Sequence, residues 1–340
     1  MAIRVGLMGF GRIGKNIFRQ VFEREDIVIA AISDLGDPEA MAYLLEYDTI
    51  YGRFPGQVRL DGKYLSAGRQ RSRLLKGTHP DQMPWDAFDI DVVVEATHAY
   101  RRRADLQGHL DSGARRVILS TPAKDGIDRT IVHGVNHESL TAADRIVSCA
   151  SATTHALGLM LKILDEAVGV EQAMMTTVHA YTSDQKLSDA VAKNLRRSRS
   201  AAENLIPNWS WSPHVVEELL PKLKGRIDGM AVNVPVPNGS NLDLAVQLKR
   251  SVKAEEINDI VRRAADGPYR PWLEFSAEPL VSSDVIGNLH SAVFDSLATL
   301  ALDGGLVKTI TWYDNGWGYA ARIVETLVAM ARFEGGGGAS

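Results

Sequence analysis

The sequence predicts an α/β protein of two domains: a parallel sheet covered on both faces by helices, followed by an α+β domain with a mixed or antiparallel sheet. Three observations predict it. Short apolar strands alternate with helical stretches up to about residue 150. A glycine turn joins the first strand to the first helix, and an aspartate closes the second strand. Beyond that point the pattern changes to longer apolar segments, interrupted by one long polar loop.

In order, Ile3-Arg4-Val5-Gly6-Leu7-Met8 reads as a short buried strand. Gly9, Gly11 and Gly14 follow, then a helical stretch over residues 15–24. Val28-Ile29-Ala30-Ala31-Ile32 is a second strand, ending at Ser33-Asp34. Strand, glycine turn, helix, strand, acid is the order a dinucleotide-binding βαβ unit requires. Residues 92–95 and 116–119 fit further strands. Past residue 150 a helix is expected over 154–168, and strands over 172–178, 229–236, 242–248 and 308–313. The loop 179–205 is long and polar, as functional loops often are. Residues 320–332 carry apolar positions at helical spacing and read as a packed terminal helix. The glycine-rich end, residues 335–340, reads as an appended flexible linker of artificial origin.

Composition bounds the function. The 340 residues suffice for two domains of ordinary size, and 45% hydrophobic with 24% charged content is that of a soluble globular protein. A net charge of -4 gives no reason to expect nucleic acid or an anionic membrane as partner. The one basic run, Lys193 to Arg199, reads as a solvated loop. A single cysteine excludes an intrachain disulfide and any multi-cysteine metal site, and no metal is expected. The start runs straight into a strand pattern without a targeting segment, and no apolar run reaches membrane-spanning length, so a cytoplasmic location is the default expectation.

The glycines permit a tight turn and close approach of backbone to a pyrophosphate. Asp34 lies 20 residues after Gly14, where a carboxylate accepts hydrogen bonds from ribose hydroxyls and repels a 2′-phosphate. NAD is therefore the expected cofactor.

Longer motifs add a resemblance. Gly9-Phe10-Gly11-Arg12-Ile13-Gly14, Ala42-Tyr43-Leu44-Leu45-Glu46-Tyr47-Asp48, Gly52-Arg53-Phe54-Pro55-Gly56, Ser148-Cys149-Ala150-Ser151-Ala152-Thr153-Thr154-His155 and Trp312-Tyr313-Asp314-Asn315-Gly316-Trp317-Gly318-Tyr319 span nearly the whole chain. Together they resemble the phosphorylating glyceraldehyde-3-phosphate dehydrogenases. The resemblance implies a Rossmann NAD-binding domain over 1–150, a catalytic domain over 151–318 and a C-terminal helix, 319–334, returning to the NAD domain. It implies NAD contacts at Gly9, Gly11, Arg12, Ile13, Gly14, Asp34, Thr97, Ser120 and Asn315, the last holding the nicotinamide carboxamide. His98 stands where a glycine is usual, and Thr78-His79-Pro80 replaces an Arg-Asp-Pro that flanks the adenine.

The family segment S-N-A-S-C-T-T-N, laid on residues 148–155, puts its nucleophilic cysteine at Ala152. In the family that thiolate adds to an aldehyde, a histidine takes the hydroxyl proton as hydride leaves for NAD, and phosphate attacks the thioester. His179 matches the histidine, 27 residues on, which is the family's spacing. The resemblance thus implies an NAD-dependent aldehyde dehydrogenase of the acylating, phosphorylating type, here as a nucleophile-dead Cys-to-Ala variant. The alternative is a natural non-catalytic homologue that binds NAD or a partner. Cys149 falls three residues early and reads as a small buried cysteine, and His155 as a packing or cap-region residue.

The resemblance further implies two anion sites. Ser151, Thr153, Thr182, Asp184 and Arg199 fall at matching positions. The arginine of the family's R-V-P-T is Asn233 here, and Trp209-Ser210-Trp211-Ser212-Pro213-His214 replaces its S-T-G-A-A-K, bringing Ser210 and Trp211 into the pocket. A lost arginine and an added indole suit an aldehyde or acyl substrate that is larger, more apolar or not phosphorylated at that end. The family is a homotetramer in which the loop 179–205 lines a neighbouring subunit's cofactor site, and a homotetramer is expected.

Overall fold

The computed structural model describes residues 2–335. The chain divides into two compact units. One takes the residues up to Ile131, His137–Ala150 and the chain from Ala320; the other takes Val132–Asn136 and Ser151–Tyr319.

The first unit is built on β1 (Ile3–Met8), α1 (Arg12–Val21), β2 (Ile27–Ser33) and α2 (Pro38–Glu46), followed by a small hairpin of β3 (Tyr47–Asp48) and β4 (Gly52–Arg53). Then come β5 (Val58–Asp61), β6 (Tyr64–Ala67), β7 (Gln70–Leu75), β8 (Val92–Glu95), α3 (Arg103–Asp111), β9 (Arg116–Leu119), β10 (Arg129–Thr130) and β11 (Ile146–Ser148). They form a nine-stranded sheet in the order β10-β11-β9-β8-β1-β2-β7-β6-β5. All neighbours from β10 to β7 run parallel, and only the edge hairpin through β6 and β5 is antiparallel. Strands such as β8 and β9 are buried at every residue, as parallel strands covered on both faces must be.

The second unit holds α4 (Ala152–Ala167), β12 (Val170–Ala180), β13 (Ile206–Trp209), α5 (Ser212–Leu219), β14 (Ile227–Val234), β15 (Ser240–Leu248), α6 (Ala254–Asp266), β16 (Leu273–Ser276), β17 (Ala292–Ala301) and β18 (Leu306–Tyr313). α7 spans Trp317–Gly335. The seven-stranded sheet runs β13-β14-β12-β15-β18-β17-β16 and is mixed: β12–β14 and β16–β17 are parallel, the other pairs antiparallel. β15 alternates buried and half-buried residues along its whole length. Its Leu242, Leu244, Val246 and Leu248 pack in one core with Leu157, Met160, Leu161 and Leu164 of α4 and with Ile257 and Val261 of α6.

The predicted fold class is the one observed, a Rossmann-like domain followed by an α/β domain with a mixed sheet. Several boundaries differ. α1 begins at Arg12, not at 15, because Gly14 has no Cβ to strike the Gly9 carbonyl oxygen and so lets the first helical turn lie on the glycine turn. β12 runs through Ala180, so His179 is a strand residue rather than the start of the loop. β14 ends at Val234 because Pro235 has no N–H for a ladder. Residues 132–136 belong with the second unit although they fall inside the span read as the first domain. Gly335 closes α7 rather than opening a tail, and the rest of the linker reading, residues 336–340, lies outside the described residues.

Candidate functional site

In the first unit the glycine turn shows three distinct demands on its glycines. Gly9 has φ +100°, and a Cβ there would lie 2.7 Å from the Ala96 carbonyl carbon. Gly14 makes room for the helix, as above. A Cβ on Gly11 meets nothing within 4 Å, so this backbone faces open space that a ligand can approach closely. Gly11 is also the N-cap of α1 and gives its first turn no side-chain cap, the arrangement found where a helix start receives an anion. Arg12 and Ile13 open the helix beside it. Asp34 folds back onto the turn: its carboxylate accepts N–H bonds from Phe10 at 2.7 Å and Gly36 at 2.8 Å. Ser120 is 3% exposed, and its Oγ has no hydrogen-bond partner. An orphaned buried hydroxyl costs about 1–3 kcal/mol unless a ligand engages it. Turn, acid and orphan hydroxyl together fit an adenine dinucleotide.

Thr97 is held from beneath. Both its N–H, at 2.8 Å, and its hydroxyl donate to Glu95 Oε1. The other oxygen of Glu95 lies 3.2 Å from His109 Nε2, and His109 Nδ1 accepts the indole N–H of Trp85 at 3.0 Å. Because Nδ1 accepts, Nε2 must carry the proton and donate to Glu95. Trp85, Glu95 and His109 are all fully buried. His98, next to Thr97, takes φ +65°, a left-handed conformation that a glycine would adopt without strain.

In the second unit the candidate catalytic residues converge through a tyrosine. Ala152 is the first residue of α4, whose N-cap Ser151 accepts the Thr154 N–H at 3.1 Å. Ser212 Oγ lies 3.4 Å from Ser151 Oγ and accepts from Thr154 Oγ1 at 3.1 Å, tying the start of α5, just after Trp211, to the start of α4. The next residue, Thr153, bonds the Tyr313 hydroxyl at 2.8 Å, and Thr177 of β12 bonds the same hydroxyl at 2.7 Å. The Tyr313 ring lies edge-on to His179, centroids 6.2 Å apart. Burial pushes the Tyr313 phenol up to about 12, so it stays protonated and serves as a hydrogen-bonding hub. His179 Nδ1 is 2.7 Å from the Ala180 carbonyl oxygen. A carbonyl only accepts, so Nδ1 carries the proton and Nε2 is the basic nitrogen of the neutral ring. Asn315 accepts the Ser240 hydroxyl on Oδ1 at 3.1 Å, which leaves the amide NH2 as its donor end.

The chain's likeness to known proteins runs along both units. Residues 3–103 match the NAD binding domain of glyceraldehyde 3-phosphate dehydrogenase, and residues 148–315 match its C-terminal domain. The chain is 42% identical to glyceraldehyde-3-phosphate dehydrogenase 2 of Streptomyces avermitilis, over 96% of this chain and 98% of that protein. Identity is 41% to the glyceraldehyde-3-phosphate dehydrogenase of Geobacillus stearothermophilus, covering 97% of this chain and 99% of the relative. It is 40% to glyceraldehyde-3-phosphate dehydrogenase 1 of Bacillus subtilis, covering 98% and 99%. The chain belongs to the glyceraldehyde-3-phosphate dehydrogenase family. It is an NAD-binding dehydrogenase of that family.

Against that background, the remaining candidates of this glyceraldehyde-3-phosphate dehydrogenase homologue separate. Cys149 is fully buried, its Sγ donates to Thr326 Oγ1 at 3.3 Å, and burial pushes its thiol up to about 12. Such a thiol is not a nucleophile at neutral pH. His155 is buried, with Nδ1 3.0 Å from the Ser151 carbonyl oxygen and its ring stacked on His133. Thr182 donates to Asp184, which also pairs with Arg197. Arg199 pairs with Asp189 at 2.9 Å, both exposed, so it is engaged by a carboxylate. Ser210 Oγ accepts the Ser212 N–H at 3.3 Å. Trp211 and Trp209 are about half exposed and meet edge-to-face at 4.2 Å, with His214 beside them. Asn233 is register-paired with His179 across β12–β14 and is 6% exposed. The sequence reading missed Tyr313, Glu95 and His109. Nothing local marks them, because their partners lie on strands and helices far along the chain.

Proposed function

We propose that this chain is the scaffold of an NAD-dependent aldehyde dehydrogenase of the acylating type, with alanine standing where the working enzyme carries a cysteine nucleophile. The observation that supports it best is the pinned tautomer of His179, whose Nδ1–H faces the Ala180 carbonyl and leaves Nε2 as the basic nitrogen of the neutral ring. Position 152 is the first residue of α4, and a helix N-terminus stabilises a thiolate. With cysteine there, the thiolate adds to the aldehyde carbon to give a thiohemiacetal, and His179 Nε2 takes the hydroxyl proton as the carbonyl re-forms. NAD supplies the hydride acceptor. The residues read as holding it are Gly9, Gly11, Arg12, Ile13, Gly14, Asp34, Thr97, Ser120 and Asn315. The acyl group leaves the thioester to phosphate, water or a thiol.

The substrate side is read as an altered phosphate pocket and a divergent substrate. Support comes from the neutral Asn233 beside His179 and from the arginine read as an anion ligand, Arg199, already paired with Asp189. Ser151, Thr153, Thr182, Asp184, Ser210 and Trp211 complete that reading. A cytoplasmic homotetramer with domains at 1–150 and 151–318 and a returning helix at 319–334 is part of the same proposal.

The test is Ala152→Cys with NAD and a broad aldehyde panel, following NADH absorbance. Turnover is expected; a protein that binds NAD yet oxidises no aldehyde sinks the reading. The second reading, a natural non-catalytic homologue, draws on the exposed Trp209–Trp211 pair. A cysteine codon at this position in the native gene eliminates it.

A further inference from the structure

Two amide groups of opposite sense, Asn233 Oδ1 and Gln185 Nε2, are buried without a hydrogen-bond partner in the second unit. β12 and β14 run parallel with His179 directly opposite Asn233, and register partners project to the same face of a sheet. Asn233 is more than nine-tenths buried, and its Oδ1 has no hydrogen-bond partner. At the exit of β12, Gln185 Oε1 accepts the Thr182 N–H at 3.1 Å, which fixes its Nε2 as the donor end. That Nε2 is also buried without a partner. Asn233 thus sets a buried acceptor opposite the last residues of β12, and Gln185 a buried donor in the segment that follows β12. Leaving either unmade is unfavourable, and a ligand that pairs with it recovers that loss.

The Asn233 oxygen does not suit a phosphate, whereas the Gln185 donor suits phosphate and hydroxyl alike. An ester phosphate at neutral pH offers mainly acceptors, so the Asn233 oxygen would face another acceptor oxygen with no proton between them. A hydroxyl both donates and accepts, and so matches both groups. In the loop that follows β12, Arg197 pairs with Asp184 and Arg199 with Asp189.

We propose that Asn233 is a specificity-determining residue that accepts a hydrogen bond from a hydroxyl of the substrate, with Gln185 donating to the same polar end, so that the preferred substrate class is an uncharged hydroxyaldehyde. This rests on the aldehyde dehydrogenase reading above. Selection against a phosphorylated aldehyde then arises from an acceptor facing an acceptor, and selection against a plain alkyl aldehyde from leaving Asn233 unpaired.

The experiment has a binding arm and a turnover arm. In the chain as it stands, saturated with NAD, propanal, glyceraldehyde and glyceraldehyde 3-phosphate are titrated by calorimetry. Glyceraldehyde is expected to bind at least about tenfold more tightly than either of the others, the worth of one well-made hydrogen bond. Asn233→Leu is expected to collapse that ratio towards one, and Asn233→Arg to turn the preference towards glyceraldehyde 3-phosphate. The inference is overturned by a preference of the chain as it stands for the phosphorylated aldehyde, by no binding of glyceraldehyde, or by a ratio that Asn233→Leu does not move. In the turnover arm, Ala152→Cys should show the same order in kcat/KM. If glyceraldehyde binds selectively but nothing turns over, the dehydrogenase reading fails and the recognition role of Asn233 stands.

Discussion

Replacing His109 by phenylalanine tests the buried chain beneath Thr97. The ring volumes are similar, so the cavity contribution is small and the loss is mainly polar. Trp85 Nε1–H loses its acceptor at 3.0 Å, and Glu95 Oε2 loses its donor at 3.2 Å, both in fully buried surroundings. An unmade bond to the indole costs about 1–3 kcal/mol, and stripping a partner from a buried carboxylate costs roughly 3 or more. A total near 4 kcal/mol is expected, which in a unit of this size lowers Tm by ~10 °C. His109→Gln supplies an acceptor and a donor of similar reach, so its loss should stay below about 1.5 kcal/mol.

Differential scanning calorimetry, with urea unfolding alongside, measures this directly. NAD separates positioning from bulk stability. Glu95 Oε1 receives both donors of Thr97, so a displaced carboxylate loosens that turn. The Tm gain on adding NAD should therefore shrink in His109→Phe and return in His109→Gln. If the phenylalanine variant is no less stable than the glutamine one, or loses under about 1 kcal/mol, the network does not hold the turn and the reasoning fails.

Three further outcomes follow from the same geometry. Cys149, with its thiol pushed up to about 12, should resist iodoacetamide at pH near 8, where only roughly one thiol in ten thousand is ionised, and react once the chain is unfolded in guanidinium; prompt labelling of the native protein contradicts its burial. Asp34→Ala removes the acceptor that ties Phe10 and Gly36 together, and should weaken NAD about tenfold or more while narrowing the preference for NAD over NADP, read by calorimetry; an unchanged ratio speaks against its ribose role. Tyr313→Phe strips the hub from Thr153 and should cost about 1–3 kcal/mol, measured by urea midpoint. Because the phenol stays protonated up to about 12, that loss should be flat across neutral pH; a loss confined to one side of neutrality points to another titrating group.

How far the molecule could be read before its structure depended on whether the signal was local. β1, the glycine turn and β2 were legible because apolar runs, glycines and an acid carry their meaning within a few residues. The edge strands β5 to β7 were not, since Val58-Arg59-Leu60-Asp61 and Gln70-Arg71-Ser72-Arg73 bury little apolar surface and owe their strand state to pairing. β17 escaped for a related reason: Asp295 and Ser296 interrupt its apolar run, and the register with β18 slips at that point. His98 could be flagged as unusual, but only the backbone gives the reason, a φ of +65°. The site was legible as a set of residue types and spacings. What joins them, the Tyr313 hydroxyl, was not, because Thr153, Thr177 and Tyr313 sit on three elements brought together by the packing of α4 on the sheet.

Charge was the hardest property to read. By charge alone the basic run over residues 193–199 reads as a solvated loop, and only the family resemblance singles out Arg199 within it as an anion ligand. The fold sets Asp184 against Arg197 and Asp189 against Arg199, so two of those positive charges meet carboxylates from the same loop. Exposed pairs of this kind are worth only about 0–1 kcal/mol and a strong anion could break them. The buried residue decides more than the exposed ones. Asn233 cannot swing away to water as Arg199 can, and its unpaired oxygen acts wherever a ligand enters beside His179. A ligand offering a donor there gains a bond in a low-dielectric site, whereas one offering a phosphate oxygen must first overcome repulsion before any loop arginine is recruited. Adding salt separates the two contributions: contacts made through Arg199 should weaken as ionic strength rises, while discrimination by Asn233 should hold.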